Sequence, residues 1–128
     1  EVTDDGRVWY SDYTRGKVGR YDPKTKAFAE WDLPAGANSL PYGTALDSTG
    51  RLWIAETGPQ PNQLVGFDTE REEIASVMPV PSGGGTVRHM MYDPETNVMW
   101  FGADSGTIGR AKVSKLGASD AWAPKAGE

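Results

Sequence analysis

Apolar positions along the chain fall in short runs of four to seven residues, rich in Val, Ile, Tyr, Trp and Phe, each closed by Gly, Pro, Asp or Asn. Such runs are strand signals, because branched and aromatic side chains suit a pleated surface and the closing residues suit turns. Asp22-Pro23-Lys24-Thr25, Asp47-Ser48-Thr49-Gly50 and Asp93-Pro94-Glu95-Thr96-Asn97 read as hairpin turns. No segment keeps a helical period. Thr69 to Ile74 is helix-tolerant but too short to hold a helix by itself.

The runs repeat. Gly6-Arg7-Val8-Trp9-Tyr10, Gly50-Arg51-Leu52-Trp53-Ile54 and Asn97-Val98-Met99-Trp100-Phe101 place Trp at spacings of 44 and 47 residues. Periods of roughly 40–50 residues belong to propellers and solenoids. After each Trp segment comes a turn and a run with Gly inside it: Val18-Gly19-Arg20-Tyr21-Asp22, Val65-Gly66-Phe67-Asp68 and Ile108-Gly109-Arg110-Ala111. Two copies continue into a third run, Phe28 to Pro34 and Ile74 to Pro81, then a Gly-containing connection, then a fourth run, Tyr42 to Asp47 and Val87 to Asp93. Four short antiparallel strands per unit make one β-propeller blade. Three ordered copies of a four-part pattern weigh against a single β-sandwich. The expectation is therefore all-β: a β-propeller fragment of about three four-stranded antiparallel blades over residues 1–116, the first and last incomplete, with 117–128 as a tail in which Trp122 docks on the body.

The copies differ at the ends. Glu1-Val2-Thr3-Asp4 reads as the tail of an innermost strand, and the third copy stops after its third run. A last blade without its outer strand is expected where a propeller ends and the N-terminus supplies the closing strand. The chain starts with Glu1 and shows no signal-peptide pattern, so either a leader was removed or it is a piece of something longer, and the repeat pattern favours the second reading.

Composition narrows the chemistry. Eighteen acidic against thirteen basic residues give a net charge of −5, which argues against nucleic acid as a partner. With no cysteine, disulfides, thiolate metal sites and thiol nucleophiles are excluded. No apolar run approaches the ~20 residues of a membrane-spanning helix. Phosphate-binding and dinucleotide fingerprints are absent; Gly83-Gly84-Gly85 has no following Lys and reads as a flexible connection.

Gly50-Arg51-Leu52-Trp53-Ile54-Ala55-Glu56 with Asn62-Gln63-Leu64-Val65-Gly66-Phe67-Asp68 resembles the repeat of the streptogramin B lyases, the virginiamycin B lyase family. Trp100-Phe101-Gly102-Ala103-Asp104 with Thr107-Ile108-Gly109-Arg110, and Trp9-Tyr10-Ser11-Asp12 with Val18-Gly19-Arg20, resemble further copies. NHL-repeat and gluconolactonase-like propellers share parts of the pattern. The resemblance implies a seven-bladed propeller, of which this chain would hold about the last three blades. It also implies a C–O lyase that opens an ester or lactone-like ring by elimination, using a His base, an assisting Glu and Mg²⁺. That division of labour is sound, because a weakly acidic α-proton needs a base and the enolate needs a cation. The competing readings are a non-catalytic scaffold that binds a protein or carbohydrate, and a metal-dependent lactonase-like hydrolase.

The resemblance implies catalytic roles for Glu56, three after Trp53, and for His89, the one imidazole of the chain. Glu56 could equally pair with Arg51 or cap a loop, and a lone His is often structural. Tyr42 stands where the family repeat has its His; a phenol of pKa about 10 is a poor base, so Tyr42 reads as a ligand-binding aromatic on the channel. The turn before Trp100 is one residue longer, so either Arg88 or His89 is its counterpart, with the one facing the channel and the other facing away. Asp104 is the third ligand-binding candidate. Asp12, Glu56 and Asp104 could ring the channel and hold a hard cation, or Asp104 could merely serve its turn. Arg20 and Arg110 read as braces between blades, and Trp9, Trp53 and Trp100 as blade-to-blade core. Open apolar blade faces would be covered by missing propeller blades or by another copy of the chain. A small-molecule ligand at the channel and a periplasmic or secreted location complete the expectation.

Overall fold

Aspartates set the repeating turns. Asp22 Oδ1 accepts the Lys24 N–H at 2.8 Å, Asp68 Oδ1 accepts those of Glu70 and Arg71 at 2.9 and 3.0 Å, and Asp93 Oδ1 accepts that of Glu95 at 3.0 Å. Four residues after each aspartate, Lys26, Glu72 and Asn97 adopt φ of 60°, 58° and 56°. The short side chain satisfies the turn amides and the left-handed residue sends the chain back antiparallel.

The computed structural model describes residues 1–81 and 85–113. Its ten strands make three antiparallel sheets. The first holds β1 (Val8–Asp12), β2 (Lys17–Asp22) and β3 (Ala27–Asp32). The second holds β4 (Pro41–Leu46), β5 (Arg51–Glu56), β6 (Gln63–Asp68) and β7 (Glu73–Pro79). The third holds β8 (Val87–Asp93), β9 (Val98–Ala103) and β10 (Thr107–Lys112). Spatial order follows chain order within each sheet. Val2 bridges Val8, and the Glu1 carbonyl accepts the Trp9 N–H at 2.9 Å, so the chain's first residues lie where an inner strand would run beside β1. A 3₁₀ turn at Gly36–Asn38 joins the first two sheets. The three Trp segments are all strand, in equivalent places, and the architecture is that of propeller blades. Among the described residues no helix is long and apolar enough to cross a membrane. The tail 117–128, Trp122 and the Gly83-Gly84 connection lie outside the described residues.

Two apolar clusters glue the blades face to face. Trp9 and Val18 of the first sheet meet Leu52, Ile54, Val65 and Phe67 of the second. Trp53, Ala55 and Leu64 on the other face of that sheet meet Val87, Met99, Phe101 and Ala111 of the third. Alternation explains this: odd and even positions of β5 serve opposite faces. Trp9 and Trp53 are buried as expected, but Trp100 is 38% exposed, because no described sheet lies against its side of the third blade. The brace expectation holds for Arg20, which lies over Trp31 and ion-pairs with Glu72 across the first interface.

Register shows a shift that the Gly-containing runs conceal. Trp9 pairs with Arg20 and Trp100 with Arg110, but Trp53 pairs with Gly66. Arg51 fills the vacated place: its Cδ lies 2.7 Å from where a Cβ on Gly66 would stand, and its guanidinium covers Trp53 at 5.2 Å.

Candidate functional site

The inner strands β4 and β8 run side by side, and both begin with a fault in the ladder. In β4 the register shifts between Pro41 and Thr44; in β8 it shifts between Val87 and His89. A bulge of this kind adds a residue to one strand and re-aims the side chains beside it. Pro41 and Val87, just before the faults, are buried; Tyr42 and Arg88 are turned out. Counting by register from the strand partners Ala45↔Trp53 and Met91↔Trp100, Arg88 is the counterpart of Tyr42 and His89 that of Gly43. The alternation expected between Arg88 and His89 fails for the same reason. The bulge suspends it, and both side chains reach the Tyr42 ring.

Gly43 lets the strands close. A Cβ there would stand 2.9 Å from the Arg88 carbonyl oxygen and 3.3 Å from the Met90 Cγ. With β4 and β8 this near, the Arg88 guanidinium lies over the Tyr42 ring at 5.5 Å, and the His89 imidazole meets that ring edge-on at 6.4 Å. Tyr13, in the β1–β2 turn, meets Tyr42 edge-on at 6.2 Å from the other side. The result is a row of three rings drawn from three blades with a cation on the middle one, an attractive arrangement by ring quadrupole. Tyr13 and Tyr42 remain 49% and 44% exposed, so the row faces solvent.

Asp104 closes the row on the Arg88 side. Its Oδ1 accepts the Thr86 N–H at 2.7 Å, its own N–H donates to the Thr86 carbonyl at 3.1 Å, and its Oδ2 lies 3.2 Å from Arg88 Nη2. The Thr86 N–H and then Arg88 hold its carboxyl below the usual carboxylate range. The Tyr42 hydroxyl, then Asp104, stabilise the charged form of Arg88 further. Asp104 is thus both turn residue and ion-pair partner.

Glu56 stands apart from this cluster. Wholly buried, its carboxylate accepts the Ala35 N–H at 3.0 Å, the Ser39 hydroxyl at 2.7 Å and the Gln63 amide at 2.5 Å. It ties the connection between the first two blades to the end of β5, the loop-capping alternative, and Arg51 takes no part. Asp12 is committed as well, to the Arg15 backbone N–H and side-chain Nε, both at 2.8 Å. The three acids do not form a ring: each has its own hydrogen-bond donors, and among the described residues no group of three His, Cys, Asp or Glu side chains is placed to hold a metal. Glu56 is buried within its own fold, Asp12 is paired with Arg15, and the guanidinium beside Asp104 repels a cation. These residues do not fit a magnesium site.

The sequence reading missed Tyr13. One signal for it existed: Tyr13 follows Trp9 by four residues, as Asp104 follows Trp100. At the other end of β4, a cleft of about 660 Å³ opens among Thr3, Asp5, Arg7, Asp47, Thr69 and Glu70. Asp47 there is occupied by the Thr49 and Arg51 N–H groups and by Trp53 Nε1, and Asp5 by Thr3 and Arg7.

No protein-family model matches the chain, and no curated protein matches its sequence. Solved structures do match its fold. A streptogramin B lyase superposes with a TM-score of 0.62 at 18% identity, over 88% of this chain and 39% of that one. The extracellular domain of a B. thetaiotaomicron protein gives 0.65 at 17% identity, over 87% and 13%. A Lactobacillus plantarum protein gives 0.56 at 14% identity, over 85% and 37%. The chain is similar in structure to streptogramin B lyase and other β-propeller proteins, and it spans well under half the length of each of these three.

Proposed function

We propose that this chain is part of a β-propeller, seven-bladed by resemblance, that binds a small ligand where β4 and β8 begin. An ester- or carboxylate-bearing group would lie against the Arg88 guanidinium, with an apolar part between the rings of Tyr13, Tyr42 and His89. The observation that carries this reading is the pair of matched bulges, which turn Tyr42 and Arg88 out onto one face and leave them exposed. Exposed aromatics arranged around a cation are costly to leave in water and are a common basis of ligand recognition.

Binding is favoured over elimination by the state of Glu56. Glu56 is wholly buried and both of its carboxylate oxygens are held by donors of its own fold, so it is not presented to a substrate, which leaves His89 without the assisting acid that the resemblance implies.

The test is a titration followed by NMR of the His89 imidazole and the Tyr42 ring, with an intact streptogramin B depsipeptide and its ring-opened product as probes. Saturable shifts in both residues are expected, at least tenfold weaker in Arg88→Ala, with the intact probe unchanged after long incubation. Absence of shifts with both probes would refute the site. Ring opening by the chain would establish the lyase reading instead.

A further inference from the structure

The bare side of the third blade can be read from the two interfaces the chain already contains. In the first, Trp9 is covered by Leu52, Ile54 and Phe67 of the next blade; in the second, Trp53 is covered by Met99, Phe101 and Ala111. Trp100 occupies the same place on β9, in line with Met91 and Arg110 on the flanking strands. Met91 is 68% and Ile108 82% exposed beside it. A surface of this kind in the other two copies is always covered by another blade.

The first interface also carries a charge rule. Arg20, the strand partner of Trp9, ion-pairs with Glu72 of the following blade, and Arg7 reaches the same carboxylate at 3.6 Å. Arg110 is the strand partner of Trp100 and is exposed, with no ion pair among the described residues. It stands where Arg20 stands and presents the same charge to whatever covers Trp100.

A second copy would bring its first blade to this face. There the counterpart of Glu72 is Lys26. Both have φ near 60°, and both donate their N–H to the aspartate that opens the turn, at 2.7 Å for Lys26 and 2.8 Å for Glu72. Lys26 would meet Arg110 as a like charge. The far face of the first blade is also more polar than its counterparts. Tyr10 replaces Ile54 and Phe101, and its hydroxyl is bound at 3.0 Å to Glu30, which Arg15 grips. Covering that network would remove charged groups from water.

We propose, on the propeller reading above, that the Trp100 face docks a β-blade of different sequence with a carboxylate in the turn before its outermost strand, and that Lys26 excludes a second copy. The docking rule is therefore apolar contact on Trp100, Met91 and Ile108 plus an acid for Arg110.

Self-association of the full chain tests this, because single charge reversals convert the first blade into an acceptable or an unacceptable partner. Sedimentation equilibrium would be combined with the ¹⁹F resonance of 5-fluorotryptophan at position 100. Lys26→Glu and Arg110→Glu should each tighten head-to-tail association about fivefold or more by replacing a repulsion with an ion pair. The double variant, again like-charged, should return to the wild-type level. Trp100→Ala in the Lys26→Glu background should abolish the gain. Wild-type chains that already associate through Trp100 as tightly as Lys26→Glu would overturn the proposal in favour of a second copy. Equal behaviour of all four charge forms would overturn the charge rule. The His89 and Tyr42 resonances report ligand binding separately, so loss of the ligand reading and loss of this one are told apart.

Discussion

Glu56 illustrates how a residue marked by its offset from Trp can be held by the fold itself. The same three-residue offset from Trp that marks it as a candidate acid also puts it at the end of β5, under the connection between the first two blades, where three donors converge on it. Glu56→Gln preserves the shape but turns one acceptor into an amide that faces a donor. Leaving a buried donor unmatched costs about 1–3 kcal/mol. The urea midpoint of Glu56→Gln should therefore fall by that equivalent at constant m-value, while the probe affinities of Tyr42 and His89 stay within about twofold. An unchanged midpoint with lost affinity would return Glu56 to the site. The offset from Trp was legible in the sequence; the burial was not, because it depends on where the Ala35–Ser39 connection settles. Asp104 shows the reverse: its turn role was legible, whereas its pairing with Arg88 required the fault in β8.

At the scale of elements, two bulges make the row of rings and one glycine permits it. Without the extra residues, Tyr42 and Arg88 would follow the alternation of their strands. Without Gly43, β4 and β8 could not approach to the spacing at which Arg88 covers Tyr42. Gly43→Ala places a methyl 2.9 Å from a backbone oxygen, which flexible side-chain movement cannot relieve. Overpacking of this kind costs about 1–3 kcal/mol. The expected outcome is a destabilisation of that size in denaturant unfolding, together with weaker probe binding, because the strands separate under the rings. Destabilisation without loss of binding would show that the ring row does not depend on this spacing. The strands and turns themselves were readable from the runs and the Asp-Gly and Asp-Pro punctuation. The bulges were not, since they show only in the register between strands, which a run of residues does not reveal by itself.

For the whole molecule, the chain is a stack of blades whose faces are held by Trp9 and Trp53, and the same kind of face is left exposed at Trp100. Truncating a buried Trp to Ala costs about 3–5 kcal/mol, and truncating one that is partly in water costs less. Trp53→Ala should therefore unfold at a much lower denaturant concentration than Trp100→Ala, which should remain close to wild type when the chain is alone. Equal losses would mean that Trp100 is already covered in solution. The three Trp residues look alike in sequence, and only the presence or absence of an adjoining sheet separates them.

Hydrophobic runs, aspartate turns and a recurring Trp are local properties, and local backbone preferences with side-chain period are enough to set strands, hairpins and the blade unit. The sequence by itself therefore determined the all-β class and the order of the strands, and it pointed to Tyr42, Arg88 and His89 on the inner strands with Glu56 and Asp104 just beyond the Trp strands as candidates. What only the tertiary structure decided depends on contacts between residues far apart in the chain. These are the choice of Arg88 as the partner of Tyr42, the addition of Tyr13, the confinement of Glu56, the Arg51 side chain in the space left by Gly66, and the exposure of Trp100. Apart from the Arg51 placement, which follows the register of two strands in one blade, each turns on how one blade is placed against the next, and that placement is a sum of packing over whole faces that no short segment encodes.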